Sequence, residues 1–199
     1  IILTLQVTKG FSFMKKLLML AMALVMFAIV GCGGGSSSKN MFTEQGELVR
    51  IMDELKNKDG FKGHDLLVFQ DISLMHSDEE TVGNTVDIYI VKPGTEDVDN
   101  YKYSGGKWQG PNPVQLTGDG RMEDNVTPMS KIDFSKVPDM YKQLEAKAKD
   151  VEGGKVSNLL VYILGRDGMY ASWGVEGTRE KYNADFDLNG NLTLSLIHI

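Results

Sequence analysis

A pattern of apolar residues that occurs twice constrains this chain more than any other feature. Leu48, Ile51, Met52 and Leu55 fall at i, i+3, i+4 and i+7; Val137, Met140, Tyr141 and Leu144 repeat that spacing 89 residues later. Each set marks the buried stripe of an amphipathic helix. Thr43 and Ser135 stand where N-caps belong, Pro138 suits a first turn, and Gly60 follows the first helix. An apolar run comes next in each copy, Leu66–Phe69 and Leu159–Tyr162. An offset of 83 then pairs Val86, Ile88 and Ile90 with Met169, Ala171 and Trp173, Gly94-Thr95 with Gly177-Thr178, and Tyr101 and Tyr103 with Ala184 and Phe186. Gly105-Gly106 and Asn189-Gly190 are hairpin-turn dipeptides at matching places. Side chains alternate across a strand, so the matched residues of each strand share one face.

These spacings predict an α+β fold of two tandem units, each a helix packed on an antiparallel meander of three to four strands. The units span 41–108 and 131–194, and the breaker-rich stretch 109–130 reads as a linker, with Val114–Leu116 able to add a short edge strand. Units this small bury only about 60% of their surface, so the two are expected to pack together. Ser195–Ile199 reads either as a genuine final strand or as foreign read-through sequence.

The amino-terminal fifth obeys different rules. Residues 1–13 read as translated upstream sequence before Met14. Residues 14–31 have the form of a signal peptide, with Lys15-Lys16 ahead of fourteen uncharged residues from Leu17 to Val30. As a helix that run is roughly 21 Å long, short of the ~30 Å hydrocarbon layer. Ile29-Val30-Gly31-Cys32 resembles the bacterial lipobox, which implies diacylglyceryl transfer to Cys32 and cleavage before it. The lone cysteine, which excludes a disulfide framework or a multi-cysteine zinc site, is then accounted for as an anchor. Residues 32–40 become the anchor and a Gly/Ser tether. Gly33 is not the aspartate that retains such proteins at the inner membrane, so the expected address is the outer membrane, facing the periplasm. Cleavage removes three lysines and no acid, leaving 18 basic against 27 acidic side chains and a charge of −9. That balance argues against nucleic acid as a partner and against charge-driven adhesion to anionic lipid.

Gly177-Thr178, Tyr182–Asp187 and the Asn189-Gly190 turn, behind a lipoprotein signal, resemble the PepSY-like family, whose fold is shared with beta-lactamase-inhibitor protein. The resemblance implies a periplasmic or secreted module that binds other proteins without catalysis. Inhibition of an enzyme would be an analogy of fold alone.

Catalytic motifs are weak. Asp185–Gly190 opens like a calcium loop, but Leu196 stands where the bidentate glutamate belongs. Its aspartates alternate with Phe186 and Leu188 as in a strand. Ser104-Gly-Gly-Lys107 fits a Ser-x-x-Lys pattern, yet two glycines make it a turn and its partner motifs are missing. His64, His76 and His198 are scattered; His64 and His76 are expected to be solvated, as is the acid run Asp78–Glu80, and His198 lies in the tail of uncertain origin. No enzyme activity, metal or cofactor is expected. The candidate partner-binding face is the strand surface opposite the matched residues: Asp87, Tyr89 and Lys102 from the first half, with Tyr170, Ser172, Asp185 and Asp187 from the second. Tyrosines rimmed by charge suit a protein or peptide partner. The rival readings are an envelope hydrolase, which needs a pocket where an acid or histidine meets a nucleophile, and a carrier of a small molecule or ion, which needs an internal cavity.

Overall fold

The structure, a computed structural model, describes residues 39–79, 82–117, 120–165 and 168–198. The expected signal segment, Cys32 and the Gly/Ser run lie outside the described residues. No helix among those described is long and apolar enough to cross a membrane.

Helix α1 (Glu47–Lys56) buries the predicted stripe of Leu48, Ile51, Met52 and Leu55. Its N-cap is Gly46 in the left-handed conformation, with no side-chain cap, rather than Thr43. Helix α2 (Val137–Ala148) buries Val137, Met140 and Leu144. A 3-10 turn, Phe134–Lys136, leads into it, and the Asp133 carboxylate accepts from both the backbone N–H and the hydroxyl of Ser135. Ser135 therefore serves the turn and not the helix cap.

Ten strands follow among the described residues: β1 (Leu67–Ser77), β2 (Gly83–Val91), β3 (Val98–Ser104), β4 (Lys107–Val114), β5 (Val126–Pro128), β6 (Lys155–Val156), β7 (Leu159–Gly165), β8 (Gly168–Glu176), β9 (Lys181–Phe186) and β10 (Leu192–His198). They form one sheet in the order β10-β9-β8-β7-β1-β2-β3-β4, with β5 beside β1 and β6 beside β8. Every pairing is antiparallel. The expectation of two tandem helix-plus-meander units in an α+β fold is thereby overturned. The described residues are mainly β, a single ten-stranded sheet carrying two short helices.

The physical cause is at the seam. A separate first meander would leave one edge of β1 unpaired, and a separate second meander one edge of β7. Such edges expose rows of backbone donors and acceptors. Here they satisfy each other over Gln70–Met75 and Leu159–Leu164, in a register that sets Ile72 against Tyr162 and Leu74 against Leu160. All four are buried, so one apolar face runs unbroken through both halves. The stretch 109–130 is also more than a linker. It carries most of β4, a 3-10 turn at Met122–Asn125, and β5, which pairs with Leu67–Phe69 of β1. Pro111 and Pro113 lie on β4, the edge strand, where they remove ladder donors and blunt that edge.

Both helices lie on the face lined by Val86, Ile88, Ile90, Ala171, Trp173, Ala184 and Phe186, which with the helix stripes form one core. Met169, aligned by sequence with Val86, is instead exposed. The opposite face of the sheet carries half-exposed and exposed side chains.

Candidate functional site

Cross-strand register builds this open face residue by residue. Asp185 stands across from Ser172, Ser172 from Val161, Val161 from Ser73, Ser73 from Asp87, and Asp87 from Lys102. At about 4.8 Å between strands, that row spans roughly 24 Å. Four of the predicted face residues, Asp87, Lys102, Ser172 and Asp185, thus share one line, though they come from segments up to 98 positions apart. In the adjoining row Tyr170 faces Ile163, and Ile163 faces Asp71. Tyr89 stands opposite an irregularity in β1, where the β1–β2 register shifts between Val68 and Ile72. Asp187 departs from the group. Its carboxylate accepts from the backbone N–H groups of Asn189 and Asn191, both at 2.9 Å, and from Asn191 Nδ2 at 2.8 Å. Those bonds, the Asn191 side chain foremost, hold Asp187 below the usual carboxylate range. Its role is to shape the β9–β10 turn.

The irregularity in β1 introduces a residue that the sequence spacing does not reveal. Gln70 adopts φ 61, a left-handed conformation rare outside glycine, and hydrogen-bonds Asn125 Oδ1 at 3.3 Å. Asp71, next along, shares the parity of Ser73 and so lies on the open face, within reach of the Asp87 charge. Partial burial, reinforced by the Asp87 charge, raises the Asp71 carboxyl above its ordinary range. Tyr89 is raised by burial and then by the same two carboxylates. Asp87 in turn accepts from Asn100 Nδ2 at 2.5 Å. Asp71, Asp87, Tyr89 and Asn100 form the polar half of the face.

Asp71 sets a pH dependence. Its folded-state pKa lies above its unfolded value, so the folded chain binds the proton more tightly. Stability from this group is then fully present at low pH and is lost as pH rises through the folded value. Asp71→Asn is expected to stabilise the protein at pH 7, and the gain should vanish as pH falls toward about 4. Thermal melts of both proteins across pH 3–8 check this; a gain that stays flat with pH contradicts it.

The other half of the face is apolar. Met75 and Leu159, paired across the β1–β7 seam, are 39% and 43% exposed, and Leu194 and Leu196 are 48% and 47% exposed. A shallow groove of about 370 Å³ lies here, lined by Leu159, Val161, Ile163, Ser172, Gly174 and Asn183. A second, larger groove of about 800 Å³ sits at the start of β1, among Leu67, Phe69, Gln70, Arg121 and Asn125. Arg121 there is engaged with Glu123 at 2.9 Å and Asp124 at 3.3 Å.

The remaining motifs take structural places. Ser104 and Lys107 face each other across the Gly105-Gly106 turn, and the Ser104 hydroxyl accepts from Gln109 Nε2 at 2.9 Å. His64 is exposed, whereas His76 is largely buried, with Nδ1 2.8 Å from Asn84 Oδ1. Its expected solvation is not what the structure shows. Among the described residues no three His, Cys, Asp or Glu side chains group as metal ligands.

No protein-family model matches the sequence, and no curated protein matches it. Among solved structures, the chain is similar to one named "putative lipoprotein (CD1622)" from Clostridium difficile 630, at 13% identity and a TM-score of 0.44. That alignment covers 82% of this chain and 100% of the other. A likeness this slight carries neither fold nor function across, and none of these comparisons supports the PepSY-like resemblance.

Proposed function

We propose that this chain is a lipid-anchored protein of the bacterial cell envelope that binds a protein or peptide partner on its open sheet face, without catalysis. The anchor is Cys32 and the expected address is the outer membrane, facing the periplasm. The observation that carries the binding reading is the face itself. Exposed Met75 and Leu159 lie one row from Val161, Ser73 and Asp87, and Asp71, Tyr89 and Tyr170 follow in the row beyond. Contiguous apolar surface rimmed by polar groups marks contact sites more often than solvent-facing sheet. A tether adds effective concentration near the membrane, so a modest affinity suffices.

The test is photo-crosslinking in the protein's own cells, from positions 159 and 170 on the open face and from Lys142 on α2. Capture of the same partner from 159 and 170 but not from 142 is the expected result. Equal capture from 142, or none from the face, would refute the reading. The double substitution Met75→Lys with Leu159→Glu is expected to reduce that capture at least tenfold while leaving the melting temperature nearly unchanged, because both side chains are already exposed and the new charges pair across the seam.

A further inference from the structure

We propose that Lys39–Phe42 is a releasable strap: docked, it shortens the leash between the anchoring cysteine and the folded domain, and undocked it lengthens that leash. One side chain grips the strap's backbone. Asn84 of β2, 3% exposed, donates from Nδ2 to the Lys39 carbonyl at 2.7 Å, and its Oδ1 accepts from the Met41 N–H at 3.1 Å. Two side chains plug it in. Met41 and Phe42 are buried, and the Phe42 ring centroid lies 4.7 Å from that of Trp173.

The strap is nevertheless not a strand of the sheet. Its other backbone bonds close a turn on itself: Thr43 and Glu44 N–H groups donate to the Asn40 carbonyl at 3.2 and 2.8 Å. Thr43, Glu44, Gln45 and Gly46 after it are exposed, with one surface bond from Gln45 Nε2 to the Ser135 carbonyl at 3.1 Å. Gly46, at φ 83, supplies a hinge in a backbone region that costs glycine little. The plug can therefore leave without breaking a ladder, as a local opening below the global unfolding free energy.

The consequence for reach rests on the lipid-anchor reading above. Lys39 follows Cys32 by seven residues and Gly46 follows it by fourteen. At full extension of about 3.5 Å per residue the leash is at most ~25 Å with the strap docked and ~50 Å with it released. Docking the strap thus halves the radius within which the open face can search.

The experiment is native-state trypsin cleavage of the full chain, extracted from membranes in detergent, over a series of sub-denaturing urea concentrations. Trypsin needs the residues around Lys39 extended, so the docked strap protects that site. Cleavage after Lys39 is expected while Lys102 in β3 and Lys181 in β9 stay intact, with a shallower urea dependence than theirs. Asn84→Ala is expected to speed it about tenfold or more, because both hydrogen bonds that hold the strap's backbone are lost. Phe42→Leu, which leaves the ladder alone, should speed it several-fold. Cleavage of Lys39 only in step with Lys102 and Lys181, or at an unchanged rate in both variants, overturns the strap. Intact mass is read on the same sample: an unmodified Cys32 overturns the anchor reading and the leash with it, whatever Lys39 does.

Discussion

Replacing Trp173 with alanine is expected to lower the free energy of unfolding by about 3–5 kcal/mol, as large buried aromatics do. Trp173 is 2% exposed in the middle of β8. Its ring lies between Phe42, at 4.7 Å, and Tyr141, at 5.6 Å between centroids, so strap, sheet and α2 all lean on it. Its indole N–H donates to the Ser157 carbonyl at 2.8 Å, a bond that alanine abandons. Aromatic pairs contribute about 0.5–1.5 kcal/mol beyond the area they bury, and two pairs are lost. Trp108 is the control: it is half-exposed at β4, with one ring neighbour, Tyr103, at 5.5 Å. Trp108→Ala should cost clearly less. Urea denaturation followed by far-UV circular dichroism measures both, and equal losses would contradict the packing described.

The second large effect concerns the seam. Ile72 is fully buried in β1, between Ile88 on one side and Tyr162 on the other. Ile72→Ala is expected to cost about 2–5 kcal/mol, with the spread set by how far the surrounding side chains collapse into the cavity. Because Ile72 contacts the first half through β2 and the second through β7, the loss belongs to both. A molecule made of two separable units would confine most of it to the first.

The difference between one sheet and two units also shows which features the sequence makes legible. Helix stripes and strand alternation are local, and Leu48, Ile51, Met52, Leu55, Val86, Ile88, Ile90, Ala171 and Trp173 all lie buried on the face their spacing assigns. Turn glycines were likewise readable: Gly105 and Gly106 both take positive φ between β3 and β4. Strand partners are not local. Nothing in the period of β1 says that its second edge meets Leu159–Leu164 rather than solvent. Gln70 alone breaks the alternation of β1: Val68, Ile72 and Leu74 keep their buried parity and Asp71 shares the open-face parity of Ser73, but the polar pair Gln70-Asp71, directly after the apolar run Leu66–Phe69, hides that the strand continues. The row Asp185, Ser172, Asp87 and Lys102 came from face parity alone, which holds across a sheet as well as within a strand. Asp187 obeyed the same parity but lies past the end of β9, where turn hydrogen bonds claim it. Thr43 failed as an N-cap because the chain before α1 is pinned by Asn84, an interaction between residues more than forty positions apart.

The central claim is that both halves belong to one sheet that leaves a single face open. Its most direct test uses the two tryptophans as separate reporters, Trp108 in the first half and Trp173 in the second. Trp173→Phe leaves only the first and Trp108→Phe only the second; Ile72→Ala is then added to each. Tryptophan fluorescence during urea unfolding should give one transition in each background, coincident with circular dichroism, and Ile72→Ala should lower both reporters' midpoints by a similar amount. A Trp173 midpoint that ignores Ile72→Ala while the Trp108 midpoint falls would mean two independent units, and the account would be wrong.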